Sequence, residues 1–291
     1  MSGLSWPAPA KLNLFLHVTG RRADGYHELE TLFQIIDWAD ELSVAVRADG
    51  VIERSGGPAG VTPEQDLVVR AARLLRERAG HPGLGATLAL VKRIPLGAGL
   101  GGGSSDAATA LVALNQLWGL GLGVESLAAL AVELGADVPL FVRGQNALAR
   151  GVGESLEPVE LPRRAYALVF PGTPVATAEA FQAPELTRNS PAIIIPGLPL
   201  PSVDGAALPG RNDLEPVVAA RYPAVRAALD WLGKRAAARM TGSGACVFAV
   251  CADRAAAQAA LTGLPQGWTG FAAVGLPCSP LVARLAIERE A

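Results

Sequence analysis

Hydrophobic and polar residues alternate near the start of the chain, between Lys11 and Val18. Leucine or valine occupies every even position of this stretch, and the odd positions carry Lys11, Asn13, Phe15 and His17. A period of two predicts a half-buried β-strand. Because Lys11 and Asn13 lie two residues apart, their side chains would point to the same face. The pattern therefore predicts a polar pair on a strand that is otherwise largely apolar.

The same periodicity predicts the remaining elements. Strands are predicted at residues 29–36, 41–47, 51–54, 86–94, 166–170, 245–251 and 271–276. Helices are predicted at residues 104–118, 124–134, 224–238 and 254–261. A further helix is predicted to begin with Thr62 as its N-cap, because Gln65 completes a capping box, and to end at Gly80. After Pro139 the chain is predicted to return to strands, and residues 171–209 to form a proline-rich connection with a short helix.

This order of elements favours an α+β protein with two lobes. No internal repeat of fixed period is visible, and the character of the chain changes near Leu161 and Pro162. We therefore predict a division into residues 1–160 and 161–291, with the boundary near residue 160.

Composition narrows the classes of partner. Of the 291 residues 18% are charged, and the formal net charge of −2 lacks the basic excess typical of nucleic-acid-binding proteins. The three cysteines form no CxxC pattern, which argues against a disulfide framework or a zinc site and for a reducing cytoplasm. No apolar run reaches the roughly 18 residues of a membrane span, and no signal peptide is recognisable. We therefore predict a cytoplasmic protein without membrane or nucleic-acid partners and without a protein-held metal, and the sequence leaves the oligomeric state open.

A glycine-rich segment follows the strand predicted at 86–94. Five glycines fall within the seven positions from Gly97 to Gly103, directly before the helix predicted at residue 104. Glycine permits positive φ and close approach, so successive backbone N–H groups can converge on an anion, and the helix N-terminus adds free N–H groups of its own. A phosphate chain suits such a site. The candidate phosphate-binding residues are Pro95, Leu96, Gly97, Ala98, Gly99, Leu100, Gly101, Gly102, Gly103, Ser104 and Ser105.

Two common phosphate-binding motifs do not fit this segment. Gly97, Gly99 and Gly102 satisfy GxGxxG, but about 20 residues further on the chain is a predicted helix around Glu125, not the acidic strand end of a dinucleotide site. No lysine follows Gly103, so the segment is no P-loop of the GK[ST] type. A loop without function is disfavoured, because a run of glycines is costly to order unless a ligand or a contact orders it.

Other candidate residues stay ambiguous from their local sequence. Lys11 fits a cation that stabilises a transferred phosphoryl group or helps to activate a hydroxyl, or an edge lysine in solvent. Asp137, in an apolar setting with no local cation, fits a helix or turn cap, or a base that accepts a hydroxyl proton. Tyr26 and His27, beside a glycine turn, fit a clamp for a flat ring or a loop packed on the core. The glycine turn at 241–244 fits extra phosphate donors or a tight connection.

Several blocks resemble the GHMP kinase superfamily. The stretch PLGAGLGGGSSDAA at 95–108 is similar to its phosphate loop. Five further blocks resemble one branch that acts on a cytidine-diphospho sugar alcohol: PAKLNLFL at 9–16, RADGYHEL at 22–29, GADVP at 135–139, GVGE at 151–154 and TGSGAC at 241–246. The resemblance implies an α+β, two-lobed GHMP-kinase fold with the active site in the cleft between the lobes.

The resemblance also implies roles for single residues. ATP would donate its γ-phosphoryl group to the tertiary 2-hydroxyl of the acceptor, with Asp137 as base and Lys11 as an orienting and stabilising cation. Mg²⁺ would be held mainly through the phosphates of ATP. The substrate contacts of this branch match Asn13, Lys92, Tyr26 and His27, the last two at the cytosine.

Two other functions stay open. One is another member of the superfamily, acting on an acceptor such as homoserine or mevalonate. The other is a regulatory protein that binds nucleotide without turnover, although binding alone has no need of a base. The proline-rich segment 190–209 matches no motif, and Asp106 receives no role.

Overall fold

The chain folds into two sheets with helices packed on them. The computed structural model describes residues 4–57, 60–193 and 208–290. The strands are β1 (Leu4–Arg21), β2 (His27–Arg47), β3 (Ile52–Gly56), β4 (Gly85–Val91), β5 (Ala147–Arg150), β6 (Ser155–Pro158), β7 (Ala165–Phe170), β8 (Ala238–Met240), β9 (Val247–Cys251) and β10 (Thr269–Val274). The helices are α1 (Leu67–Ala79), α2 (Gly102–Leu117), α3 (Val124–Ala131), α4 (Val138–Arg143), α5 (Thr177–Gln182), α6 (Glu215–Arg221), α7 (Pro223–Gly233), α8 (Arg254–Ala260) and α9 (Pro280–Glu290).

The two sheets follow each other along the chain. The first has the order β3-β4-β2-β5-β6, with β1 paired to β2, and the second has the order β10-β7-β9-β8. Strands β3 and β4 run parallel with α1 between them, and the other described pairs are antiparallel. This mixture confirms the predicted α+β class. Helix α9 returns to contact β1 and α2, and the predicted division at residue 160 stays a prediction.

Strand β1 is buried on both faces, so the prediction of a half-buried strand was wrong. Leu12 is fully buried, and Lys11 on the opposite face is only 3% exposed. The free edge is covered from the second half of the chain: the N–H of Leu16 donates to the Arg211 carbonyl (2.9 Å), and the N–H of Asp213 donates to the Leu16 carbonyl (2.8 Å). The alternation of hydrophobic and polar residues predicts a strand. It cannot predict which distant segment lies against the polar face of that strand.

Helix α1 begins later than its sequence predicts. Its N-cap is Asp66, whose carboxylate accepts the N–H of Val68 (2.8 Å) and also pairs with Arg54. Thr62 instead lies in the preceding turn, so its prediction as N-cap was wrong. A buried carboxylate that takes both a backbone N–H and a guanidinium is a better cap than a hydroxyl. The predicted end is confirmed, because Gly80 adopts φ 67°.

Several other boundaries also differ from their predictions. The strands predicted at 29–36 and 41–47 are one continuous strand, β2. The segment after Pro139 is helix α4 before it returns to strands, because a short apolar run fits a buried helix as well as a strand, and proline suits a first helical turn. Helix α7 ends at Gly233 rather than residue 238, and neither α6 nor α9 was predicted.

One hydrophobic core is shared between the sheets. Its fully buried side chains include Phe15 of β1, Tyr166 of β7 and Phe248 of β9. A second cluster fills the space between the first sheet and helices α1, α2 and α3. The glycine-rich segment and the polar residues of β1 therefore lie where the two halves of the chain meet.

The described ranges contain no helix long and apolar enough to cross a membrane. The cytoplasmic location stays a prediction. Of the proline-rich segment 190–209, residues 194–207 lie outside the described residues.

Candidate active site

Lys11 lies at the centre of the site, on a strand buried on both faces. Its Nζ donates to Asn13 Oδ1 (2.5 Å) and to the Gly99 carbonyl (3.1 Å), and it lies 3.3 Å from Asp137 Oδ2. The ammonium is also 5.2 Å from the centre of the Phe33 ring, within cation–π range. These contacts hold a cation at a fixed point, with little of its charge screened by water.

Asp137 is brought to Lys11 by the turn between α3 and α4. It precedes the first residue of α4, but its carboxylate caps no N–H of that helix. Its side chain is 31% exposed, whereas that of Lys11 is 4% exposed. One side of the carboxylate therefore faces the buried ammonium and the other stays open to the cleft. This removes one alternative of the sequence analysis, since Asp137 has a cation partner and caps no helix.

Asn13 is fixed by both halves of the chain. Its Nδ2 donates to Thr31 Oγ1 (2.8 Å), and its backbone N–H donates to Thr241 Oγ1 (2.9 Å). Since its Oδ1 accepts from Lys11, the amide group of Asn13 has one orientation. The predicted polar pair therefore exists, and it is locked in place.

The glycine-rich segment is folded against the turn at residues 241–244. The N–H of Ala245 donates to the Gly97 carbonyl, and that of Cys246 to the Ala98 carbonyl, both at 3.0 Å. Gly99 has φ 72°, and a Cβ there would overlap the Thr241 carbonyl oxygen. Glycine is required here by the backbone conformation and by the closeness of the second half of the chain.

Helix α2 begins inside the glycine run, two residues before its predicted start. Gly101 is its N-cap, with φ 71° and no side-chain capping bond, and the N–H of Ser105 closes the first turn on the Gly101 carbonyl. The N–H groups of Gly102, Gly103 and Ser104 precede that first bond, and all three residues line the cleft. Such an N-terminus, with three glycines at its start, suits an anion.

Lys92 lies beneath this helix terminus between two carboxylates. Its Nζ donates to Asp106 Oδ2 (2.6 Å) and to Asp40. Asp40 also accepts the N–H groups of Arg93 and Ile94. Although burial opposes the charge of Lys92, the two carboxylates raise its pKa above the ordinary value. The predicted substrate contact is therefore a lysine already engaged inside the protein, with its ammonium at the edge of the cleft.

The carboxyl group of Asp106 is buried, which disfavours its charged form. Burial, offset in part by Lys92 and reinforced by Asp40, raises the pKa of its carboxyl to about 7. Its second oxygen, Oδ1, is buried and has no hydrogen-bond partner among the described residues. The same holds for Ser105 Oγ, so Ser105 contributes its backbone to the helix start while its side chain is buried.

Tyr26 and His27 lie at the turn between β1 and β2, away from the lysine–aspartate pair. Tyr26 is 66% exposed, and neither residue lines the cleft. His27 Nε2 accepts from Arg188 Nε (3.0 Å), and its ring lies 5.2 Å from that of Phe181, which does line the cleft. Burial and the charges of Arg188 and Arg21 lower the pKa of His27.

A cleft of about 420 Å³ joins these features. Of the predicted residues it is lined by Lys11, Asn13, Lys92, Asp137 and the segment from Pro95 to Ser104. A smaller pocket of about 180 Å³ adjoins it at Lys92, Leu96 and Gly103, with Val68 and Leu90 among its apolar walls. The cleft thus combines the glycine-rich segment and the Lys11–Asp137 pair, and it adjoins a pocket with apolar walls.

The donor set of the cleft fits a cation that arrives with a ligand. Asp137 is the single carboxylate among the residues that line it, and the described residues hold no group of three His, Cys, Asp or Glu that could bind a metal. Mg²⁺ prefers several oxygen ligands and keeps water when the protein offers few. These residues fit Mg²⁺ bound mainly through phosphate oxygens, and its presence stays a prediction.

Some residues at the site carry no signal in the sequence. Thr177 and Ser243 share a hydroxyl–hydroxyl hydrogen bond of 2.7 Å across the cleft edge, and Arg188 reaches His27 over 161 positions of sequence. Asp40 lies inside a strand whose alternation gives no hint of a buried acid. The position of each of these residues depends on a tertiary contact. Of them, only Ser243 lies in a motif that the sequence singled out, the glycine turn at 241–244.

Fold and cleft together define a GHMP kinase. Residues 66–145 match the family described as GHMP kinases N terminal domain, and residues 204–269 match GHMP kinases C terminal. A crystal structure of a homoserine kinase from Cytophaga hutchinsonii has the same fold, with a TM-score of 0.71 and 20% identity over 96% of each chain.

Closer similarity identifies the branch. The chain is 55% identical to the 4-diphosphocytidyl-2-C-methyl-D-erythritol kinase of Alkalilimnicola ehrlichii, over 98% of this chain and 95% of that protein, and 52% identical to that of Halorhodospira halophila, over 97% and 96%. A crystal structure of 4-(cytidine 5'-diphospho)-2C-methyl-D-erythritol kinase superposes with a TM-score of 0.78 at 38% identity, covering 94% of this chain and 99% of that chain. The chain belongs to the 4-diphosphocytidyl-2-C-methyl-D-erythritol kinase family of GHMP kinases and is a phosphotransferase.

Proposed function

We propose that this kinase transfers the γ-phosphoryl group of ATP to the 2-hydroxyl of 4-diphosphocytidyl-2-C-methyl-D-erythritol, a step of the non-mevalonate route to isoprenoid precursors. The observation that carries the proposal is the pair of Lys11 and Asp137, 3.3 Å apart beside the glycine-rich segment. A binding protein needs no such pair, whereas transfer to a hydroxyl needs both a proton acceptor and a cation.

The donor end of the site is formed by the segment from Pro95 to Ser105. Its phosphate-binding groups are the backbone N–H groups of the glycines and of the start of α2, which need no lysine of the GK[ST] type. The adjoining 180 Å³ pocket has the apolar walls and the position to take the adenine of ATP. Mg²⁺ bound with ATP would neutralise charge on the phosphate oxygens as the transfer proceeds.

The chemical step is carried by Asp137. Its open carboxylate oxygen accepts the proton of the acceptor hydroxyl, whose oxygen forms a bond to the γ-phosphorus while the bond from that phosphorus to the β,γ-bridging oxygen of ATP breaks. Lys11 orients Asp137 and stabilises negative charge on the transferred group. Positioning and electrostatics account for most of the acceleration of such a transfer, which fits a cation held by Asn13, Gly99 and Asp137.

The acceptor end is assigned to Asn13, Tyr26, His27 and Lys92. Tyr26 is an exposed aromatic ring on a turn, available to stack on a flat base, and His27 adds a polar edge nearby. Asn13 lies next to the lysine–aspartate pair, where the reacting hydroxyl would be. Lys92 lies farther along the cleft and keeps its two carboxylate partners.

The acceptor is tested by ADP release with three compounds: the cytidine-diphospho sugar alcohol, homoserine and mevalonate. We expect turnover with the first. Turnover with only homoserine or mevalonate would assign another acceptor, and ATP binding without ADP release for any acceptor would indicate a regulatory protein.

The role of Asp137 is tested by Asp137→Asn. We expect kcat to fall by at least a hundredfold, in the range lost with a general base, while the affinity for ATP stays within about twofold. Asp230→Asn is the matched control, because Asp230 is exposed on α7 and remote from the cleft. Turnover of Asp137→Asn at the wild-type rate would disprove the assignment of the base.

A further inference from the structure

Arg188 connects three groups around Phe181, whose side chain lines the cleft. Its Nε donates to His27 Nε2 (3.0 Å), its Nη1 donates to the Leu186 carbonyl (3.0 Å), and its Nη2 donates to the carbonyls of Phe181 (3.0 Å) and Ala183 (2.7 Å). The guanidinium forms no ion pair with a carboxylate of the described residues. Its four bonds therefore go to the end of α5, the turn that follows it, and one imidazole.

The bond to His27 sets the chemical state of that imidazole. A guanidinium has donors and no acceptor, so Nε2 of His27 must carry a lone pair. The neutral ring then has its proton on Nδ1, and no described residue accepts from that atom. Phe181, whose carbonyl Arg188 also holds, places its ring 5.2 Å from the imidazole at an angle of 31°.

The surrounding charges act in the same direction. Arg188, in the segment after α5, and Arg21, at the end of β1, are the charged groups that lower the pKa of His27, after burial as the largest cause. The ring is therefore neutral at physiological pH, with Nδ1–H as its single donor.

We infer that Arg188 is a positioning residue for acceptor recognition: it fixes His27 as the Nδ1–H tautomer and so presents one N–H donor to an acceptor atom on the edge of a pyrimidine ring. The inference rests on the proposed function, because it assigns a role to a base of the acceptor. It adds a residue that contacts neither the phosphates nor the lysine–aspartate pair. It also explains why four hydrogen bonds hold an arginine that pairs with no carboxylate in the described part of the chain.

The state of His27 can be measured in the enzyme without substrate. The chain has three histidines, so ¹⁵N-histidine labelling gives few signals, and His27→Gln identifies those of His27. We expect the Nδ1–H tautomer in the wild type and a pKa below the ordinary value. In Arg188→Met we expect a mixture of tautomers and a higher pKa, because both the donor and the nearby cation are lost. The same tautomer and pKa in Arg188→Met as in the wild type would overturn the inference.

Kinetics then connects this state to recognition. In Arg188→Met we expect KM for the cytidine-diphospho acceptor to rise about tenfold, the effect of one lost hydrogen bond from the neutral imidazole to the acceptor, with kcat and KM for ATP within about twofold. Arg188→Lys keeps a cationic donor and is expected to recover most of the acceptor KM and the low pKa of His27, and it serves as the second variant if the methionine variant folds poorly. Arg221→Met removes a neighbouring surface arginine that pairs with Glu185, and it should match the wild type.

If KM for ATP rises as much as KM for the acceptor in both Arg188 variants, the role of Arg188 is structural and the inference is wrong. Failure of the proposed function would look different, because the wild type would then release no ADP with the cytidine-diphospho acceptor. The histidine signals of the free enzyme would still decide whether Arg188 controls His27.

Discussion

Asp106 shows how a single buried residue can make the stability of the protein depend on pH. It lies in the first turns of α2. One carboxylate oxygen accepts from Lys92, the other has no hydrogen-bond partner among the described residues, and Asp40 contacts the same ammonium. Two carboxylates around one buried cation leave a net negative charge, which burial disfavours. The proton that relieves this charge is bound with a pKa of about 7.

Protonation of Asp106 predicts a pH-dependent stability. The folded state keeps this proton up to about pH 7, whereas the unfolded chain releases it near the ordinary value of 3.8. The contribution of Asp106 to stability therefore falls as the pH rises from about 4 to about 7. Asp106→Asn lacks this loss, so its free energy of unfolding relative to the wild type should be higher at pH 8 than at pH 5 by about 2–3 kcal/mol. Urea denaturation at the two pH values measures the difference.

The control for this measurement is Asp230→Asn, an exposed aspartate, whose difference from the wild type should be the same at both pH values. If Asp106→Asn also differs from the wild type equally at pH 5 and pH 8, then Asp106 is ionised throughout and the pH response has another source.

At the scale of single residues, the sequence predicts which side chains share a strand face better than it predicts their long-range contacts. Lys11 and Asn13 were placed on one face by the period of the strand, and they are hydrogen-bonded there. The contact between Lys11 and Asp137 joins positions 126 residues apart, and no local pattern encodes it. Only the resemblance to a family brought the two together, which is why their roles remain a proposal.

At the scale of elements, the glycine-rich segment has two separate requirements. Its positive φ angles serve the turn, and its lack of side chains lets the second half of the chain approach. Gly99 combines both: φ is 72°, and a Cβ would overlap the Thr241 carbonyl and lie 3.0 Å from the Gly244 nitrogen. Gly119 has φ 66°, and among the described residues no atom beyond its own chain neighbours lies within 4 Å of a Cβ there.

These two glycines give a matched pair of substitutions. Gly119→Ala should cost only the strain of a left-handed alanine, about 1 kcal/mol. Gly99→Ala should cost about 1–3 kcal/mol more, because the segment must move away from the turn at 241–244. It should also raise KM for ATP about tenfold, since the phosphate-binding N–H groups move with the segment. Thermal unfolding and ADP-release kinetics measure both effects, and equal behaviour of the two variants would refute the requirement for close approach.

The errors of the sequence analysis also belong to this scale. Five apolar residues after Asp137 fit a strand or a buried helix, and packing against α2 and α3 decides for the helix. The capping box at Thr62 is locally sound, but Asp66 gains a buried ion pair with Arg54 that the box cannot match. In both cases a tertiary contact outweighs the local preference of the sequence.

At the scale of the molecule, the cleft of the candidate active site depends on both sheets. Lys11 and the glycine-rich segment belong to the first half of the chain, and the turn at 241–244 that supports them belongs to the second. The α+β class could be predicted from the order of elements. The burial of β1 between the halves could not be predicted, because it depends on the hydrogen bonds that residues 211–213 form with the edge of β1.

This arrangement predicts that the two halves unfold together. The shared core contains Phe15 and Leu12 from the first sheet and Val247 and Phe248 from the second, all almost fully buried. Separating the halves would expose this core and leave the edge of β1 without its partners at 211–213. We therefore expect one calorimetric transition for the full chain, with the calorimetric and van't Hoff enthalpies equal.

Fragments 1–160 and 161–291, produced separately, should each lack a cooperative transition, and co-expression should restore a folded, active complex because the contacts across the cleft would reform. Two transitions in the full chain, or a cooperative transition in isolated fragment 1–160, would mean that the predicted division at residue 160 separates independent folding units. The cleft would then be an interface between two domains. In that case we would expect two melting temperatures, and ATP or the acceptor would raise the melting temperature of each domain that it contacts. With a single folding unit, either ligand should instead raise the one melting temperature of the whole chain.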